Sequence, residues 1–173
     1  MKMADPSREV YVMVGDGSYL MMAQEIVTSL QENVKLNIVL LDNHGFSSIG
    51  GLSRACGSEG FGTEYRFRNK GMQGDVTGSR WTLLRTLPVW GAFTVWARTH
   101  EQLSEALDTM KKQSRTSVVV VETDYQDRVP EYECWWDVPI AEVSEMGTVQ
   151  QARRNYVEAR KTERYFWPAK SEE

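Results

Sequence analysis

Several things are scarce in this chain of 173 residues, and each scarcity excludes something. There are two cysteines, Cys56 and Cys134, far apart in sequence. They fit free thiols in a reducing cytosol better than a disulfide, and Cys56 has no second Cys or His pair nearby to make a metal site. Basic charge is not in excess: 20 Lys and Arg face 24 Asp and Glu, for a net charge of −4. A nucleic-acid footprint needs a basic face, so none is expected. Apolar runs such as 38–41 and 118–121 are strand-length, far below the ~18 residues of a membrane span. The opening MKMADPSREV has no apolar core of a secretory signal. A cytoplasmic protein that engages neither membrane nor nucleic acid is expected. No internal repeat or low-complexity tract is visible. What is left, 41% hydrophobic and 25% charged, is globular composition.

Residues 9–14 (EVYVMV) are β-branched and aromatic, the mark of a strand. They end in Gly15-Asp16-Gly17-Ser18. From 19 to 31 Leu20, Ala23, Val27 and Leu30 recur at helical spacing. Residues 36–41 (LNIVLL) are nearly continuous and apolar, as in a strand covered on both faces, and lead into Asp42-Asn43-His44-Gly45. This is a βαβ unit with parallel strands. The glycine-rich stretch 46–78 lacks periodicity but carries Phe46, Phe61, Tyr65 and Phe67, so it is expected to be an ordered functional loop. A strand at 92–97 follows. Next come a helix at 100–112 capped by Thr99, with Gln102 in the capping-box position and Leu103, Ala106, Leu107 and Met110 as its stripe, and a strand at 117–123. The tail from 139 to 164 is partly amphipathic, through Ala141, Val143, Val149, Ala152 and Val157. The alternation predicts an α/β fold, a mostly parallel sheet with flanking helices. Residues 1–137 form the domain and 138–173 a helical tail.

In open parallel sheets ligands sit beyond the carboxyl ends of the strands. Asp16 stands at the first such end and Asn43 at the second, 27 positions later. A carboxylate, an amide oxygen and a nearby carbonyl are hard oxygen ligands that suit Mg²⁺, which takes further oxygens from water and phosphates. Gly17 permits close backbone approach, and Ser18 with the first helical amides makes an anion site. Together these read as a magnesium–diphosphate clamp.

Gly15-Asp16-Gly17 followed after some two dozen residues by Asn43 resembles the cofactor motif of the thiamine-diphosphate enzymes. The resemblance implies that Asp16, the Asn43 side chain and the Gly45 carbonyl bind Mg²⁺. It puts Gly15, Gly17 and Ser18 in the cofactor-binding set, with Gly17 and Ser18 on the diphosphate. The strings GDGSYLMMAQEIVTSLQEN, DNHGFSSIGGLSRACGSEGFGTEYRFRN and EYECWWDVPIAEVSE are similar to the branch of that family that opens an inositol-derived cyclic 1,2-dione by C–C hydrolysis. An acetolactate-synthase-like lyase or transferase and a catalytically inactive fragment are the alternatives. The resemblance also implies a pyrimidine-binding domain carrying an activating Glu, and a homodimer or tetramer. That domain is not recognisable here. The chain is therefore expected to be a truncated diphosphate domain with no catalytic residue of its own, inactive alone.

His44 is read either as a hydrogen-bond partner of a substrate oxygen or as a satisfied loop histidine. His100 is expected at the surface. Trp135-Trp136 are read as packing, and Arg153, Arg154, Arg160, Lys161 and Arg164 as a solvated helix face. Residues 76–100 contain no acid, and within them 80–90 (RWTLLRTLPVW) put Pro88 where the family has a helix opening Asp-Phe-Ala. The single Trp codon makes this testable. Trp81-Thr82 and Trp90-Gly91, shifted by one base, must read Asp and Gly, spaced as in the family. Two compensating frameshifts flanking roughly 80–90 are expected, a natural divergent insert being the alternative, with that segment standing off the domain.

Overall fold

The computed structural model describes residues 1–65, 86–124, 127 and 137–164. In chain order the elements are β1 (Tyr11–Gly15), α1 (Asp16–Met21), α2 (Glu25–Gln31), β2 (Asn37–Asp42) and α3 (Ser47–Ala55). They continue with α4 (Thr86–Val89), β3 (Phe93–Ala97), α5 (His100–Lys111), β4 (Ser117–Glu122) and α6 (Gly147–Arg160). The four strands form one sheet in the order β1-β2-β4-β3, every pairing parallel. The α/β expectation is met.

Side chains alternate across a strand, and the apolar runs use both faces. Ile38, Leu40, Val118 and Val120 pack with Tyr19, Ile26, Leu87 and Ala92 on one face. Val39 and Val119 pack with Ala97, Ala106 and Met110 on the other. The winding explains this. The chain moves from β1 to β2 in one direction and from β3 back to β4 in the other. Right-handed crossovers therefore put α1 and α2 on one face and α5 on the opposite one. The direction of winding reverses within the sheet, the arrangement in which ligands bind beyond the carboxyl ends of the strands. β1 lies at the edge. Its apolar side chains are left open, Val12 37% and Met13 73% exposed.

Several expectations are corrected. The helix expected over 19–31 is two short ones. Met22 N–H closes α1 on Tyr19 O at 3.3 Å, the chain breaks before Glu25, and the phase turns. Tyr19, Ile26 and Ser29 are buried and Leu20 is exposed, while Ala23 and Leu30 of the expected stripe do pack against the core. The stretch expected as loop opens with α3, whose Gly50 is buried; 66–78 lies outside the described residues. Thr99 caps α5 as expected, accepting from Gln102 N–H at 3.2 Å, though the Gln102 side chain turns back to Arg98 N–H rather than to the cap itself. Of 80–90, residues 80–85 fall outside the described set. The remainder packs in rather than standing off: Leu87 is fully buried in the first core cluster and Trp90 leans against it, while Val89 is exposed.

The contacts divide the chain into two compact units, 1–47 with 62–128, and 48–61 with 129–173. The tail beyond 137 thus shares its unit with 48–61. In that second unit Ile140, Val149 and Tyr156 make the core, with Cys56 and Ala152 against it. Val143 and Val157, expected on the apolar face of the tail, are exposed. Tyr156 O–H donates to Asp137 at 2.7 Å. Cys56 is a free thiol, and Cys134, Trp135 and Trp136 lie outside the described residues. Among the described residues no helix is long and apolar enough to cross a membrane.

Candidate functional site

The parallel register sets Gly15 opposite Leu41 and Asp42 opposite Glu122. One residue beyond β1, Asp16 therefore comes level with Asp42, and the turn 42–45 passes over it. Asp16 is 2% exposed. Its two carboxylate oxygens are held by backbone: Oδ1 accepts from Gly17 N–H at 2.9 Å and Oδ2 from Gly45 N–H at 2.9 Å. Burial is the main cause that raises its pKa, to about 6; the two N–H bonds work against it and the neighbouring Asp42 adds to it.

Asn43 points into the same corner. One terminal atom of its amide stands 3.0 Å from Asp16 Oδ1, 2.8 Å from the Gly45 carbonyl oxygen and 3.1 Å from Ser47 Oγ. With nitrogen at that place the amide donates to its neighbours, which suits the corner without a cation. With oxygen there, Asp16 Oδ1, Asn43 Oδ1 and Gly45 O face one another with no proton between them. An octahedral cation with bonds of ~2.1 Å has edges of about 3.0 Å between adjacent ligands. The three oxygens already have that spacing at two edges. The donor set therefore fits a small, hard divalent cation. Among the described residues no group of three or more His, Cys, Asp or Glu is assembled for a metal, so amide and carbonyl oxygens are what make this corner a site.

The turn is held in place by His44, one of two non-glycine residues with positive φ among those described, at 60°. Its N–H donates to Asp42 Oδ1 at 3.3 Å. Its ring lies between two strand-end acids, Nδ1 3.2 Å from Asp42 and Nε2 3.5 Å from Glu122. The left-handed step costs on the order of 1 kcal/mol for a non-glycine residue, and these contacts offset it. Of the two readings of His44, the structure favours a histidine satisfied by its neighbours.

The chain returns to the site from the far side. Gly45 and Glu64 form an isolated antiparallel bridge. Phe46 N–H donates to Thr63 O at 2.8 Å and Tyr65 N–H to His44 O at 3.2 Å. Gly45 has to be glycine, because a Cβ there would run into the Thr63 carbonyl. At Gly17 a Cβ would stand 2.7 Å from the Phe46 ring, so the close approach at that glycine is made by Phe46. Phe46 in turn meets Tyr65 edge-on, with centroids 6.4 Å apart.

The structure thus brings Asp16, Asn43 and Gly45 together. Gly15 precedes α1 as its N-cap residue, without a side-chain cap. Ser18 is exposed on the first turn, and Gly17 N–H is spent on Asp16. The anion site expected from a long helix rests instead on a helix of six residues. Sequence reasoning passed over Asp42, Glu122 and Thr63, and noted Tyr65 only as one aromatic of the expected functional loop. Asp42 could have been found as the second acid beside Asn43; the others sit in segments whose return to the site no spacing announces. His100 is exposed, as expected.

Comparison with known proteins identifies the family. The sequence model described as thiamine pyrophosphate enzyme, C-terminal TPP binding domain, matches residues 1–121. A protein of Bacillus thuringiensis (strain Al Hakam) named 3D-(3,5/4)-trihydroxycyclohexane-1,2-dione hydrolase is 43% identical over 157 residues, covering 90% of this chain and 24% of the relative. The protein of that name from Bacillus cereus (strain 03BB102) matches equally, at 43% over 157 residues. The chain spans about a quarter of the length of these relatives. The thiamine diphosphate-dependent 4-hydroxybenzoylformate decarboxylase of Rhodococcus jostii RHA1 superposes with a TM-score of 0.54 at 20% identity, over 71% of this chain and 21% of that one. This last similarity is one of fold.

Proposed function

Because the chain belongs to the thiamine pyrophosphate enzymes, through their C-terminal TPP binding domain, we propose that its strand-end corner holds Mg²⁺ and, through it, the diphosphate of thiamine diphosphate. The observation that carries this is the three-oxygen corner. Asp16 Oδ1 and Gly45 O stand 3.0 and 2.8 Å from one terminal atom of the Asn43 amide, which is cation-ligand spacing when the amide turns its oxygen there, and the Asp16 carboxylate is steered by two backbone N–H groups. These three would hold the ion, and water and phosphate oxygens would complete its shell. Gly15, Gly17 and Ser18 border the diphosphate. The cofactor, when bound, supplies a nucleophilic carbon for attack on a carbonyl. The residues of this chain would anchor its charged end and fix its distance from the sheet by holding the cation, which would supply the neutralising charge.

The whole enzyme is proposed to be a hydrolase that cleaves a C–C bond in an inositol-derived cyclic 1,2-dione, in the cytoplasm. Support comes from the names of the relatives and from their 43% identity over 157 residues of this chain. The catalytic acid belongs to a pyrimidine-binding domain of a full-length subunit, in a homodimer or tetramer, and this chain alone does not turn over. The open apolar edge of β1 supports such a partner, since natural sheets seldom leave a flat hydrophobic edge bare. The test is a Mn²⁺ titration of the purified chain followed by electron paramagnetic resonance. Wild type should bind one ion, and Asp16→Ala and Asn43→Ala should lose it. Unchanged binding by Asp16→Ala would sink the assignment.

A further inference from the structure

One wall of the corner carries a hydroxyl with nothing to bond. The phenol oxygen of Tyr65 is buried and has no hydrogen-bond partner among the described residues. Everything around Tyr65 holds the residue and leaves that oxygen alone. Its N–H is fixed on His44 O. Its ring stands edge-on to Phe46, with 75° between the planes, and Phe46 covers Gly17. The Asp16 and Asp42 carboxylates are near enough that their charges add to burial in raising the phenol's pKa, yet neither accepts its proton. The O–H therefore keeps its hydrogen at neutral pH, within reach of the charges of the two acids and bonded to neither. Buried hydroxyls without a partner are uncommon, and each needs a reason. A water on a dication donates its protons outward and is a poor acceptor, whereas a phosphate oxygen is a strong acceptor for a neutral O–H.

We propose that Tyr65 is a ligand-binding residue of this site, its hydroxyl donating a hydrogen bond to a phosphate oxygen of the cation-bound diphosphate. This rests on the reading that the corner holds a cation–diphosphate unit, and it adds a donor from the glycine-rich segment that no motif marks. The hydroxyl would also favour a diphosphate over the cation alone, since only the anion uses it.

Tyr65→Phe removes the oxygen and keeps the ring against Phe46. The full 173-residue chain is titrated with Mn²⁺ alone and with pyrophosphate at saturating Mg²⁺. The variant should bind Mn²⁺ as wild type does and bind Mg²⁺–pyrophosphate about tenfold more weakly, the scale of one hydrogen bond to a charged group. Equal pyrophosphate affinity in the two proteins overturns the proposal. So does an equal loss in both titrations, which would mean that the hydroxyl only supports the corner. Wild type that binds Mn²⁺ but no pyrophosphate overturns it too and leaves the cation site standing. Wild type that binds neither overturns the parent reading. As a measurement independent of the variant's folding, adding Mg²⁺–pyrophosphate to wild type should shift its tyrosine absorption band to the red, and an unshifted band counts against the proposal.

Discussion

Replacing Gly17 by alanine separates two reasons for a glycine in the first turn of α1. By helix propensity alone the change should help: alanine in a helix is better than glycine by ~0.5–1 kcal/mol. By packing it should hurt. The new Cβ would lie 2.7 Å from Phe46 Cδ1 and 2.8 Å from Cε1, about 1 Å inside the ~3.5–4.0 Å optimum for carbon pairs. Phe46 has little room to give way, because its N–H is fastened to Thr63 and its ring meets Tyr65. Overpacking of this kind costs ~1–3 kcal/mol. The net expectation is a loss of about 1–2 kcal/mol, seen in urea unfolding and as a fall of several degrees in Tm. The same substitution in a Phe46→Ala background meets no ring, so only the propensity is left and the sign turns to a gain of ~0.5–1 kcal/mol. If Gly17→Ala is neutral or stabilising with Phe46 present, or if the loss is the same in both backgrounds, the packing account is wrong.

The other expectations are quicker to state. Burial raises the Asp16 pKa from 3.8 to about 6, so the folded chain holds that proton more tightly than the unfolded one. Without a cation, this contribution to stability is full below pH ~4 and is lost as pH rises toward 6; urea midpoints across this range should show the slope, and Asp16→Asn should flatten it. Cation affinity should fall as pH drops below about 6, because proton and ion compete for the same carboxylate, and a pH-independent Mn²⁺ affinity would contradict that. Leu87 is fully buried, so Leu87→Ala should cost ~2–5 kcal/mol; a cost near zero would return residues 86–90 to the surface. Trp90 has a buried indole N–H without a partner among the described residues, so Trp90→Phe should be neutral or slightly stabilising, and a loss above ~2 kcal/mol would show that the indole is better placed than its contacts suggest.

The amino-acid sequence by itself determined the four strands, their parallel pairing class and two strand-end residues of the candidate site. It could do so because those features are local. Runs such as LNIVLL and SVVVVE have the composition of strands buried on both faces. The Gly-Asp-Gly turn and the Asn that follows the next strand place their side chains at strand ends whatever the rest of the chain does. The capped α5 was legible for the same reason, with Thr99 and Gln102 three residues apart. Tertiary structure decided what depends on contacts between distant residues. The break between α1 and α2 follows from which side chains reach the core: Tyr19 and Ile26 bury, and Leu20 does not. The insertion of β4 between β2 and β3 brings Glu122 beside Asp42, and so gives His44 two acids to sit between. The return of 63–65 past Gly45 sets Phe46 between Gly17 and Tyr65 and leaves the Tyr65 hydroxyl buried without a partner. Residues 86–90 pack in because Leu87 finds the pocket beneath Leu40 and Val120, which no period in RWTLLRTLPVW foretells. Spacing along the chain can announce a strand end, but only the folded backbone determines which other strand ends and loops meet it there.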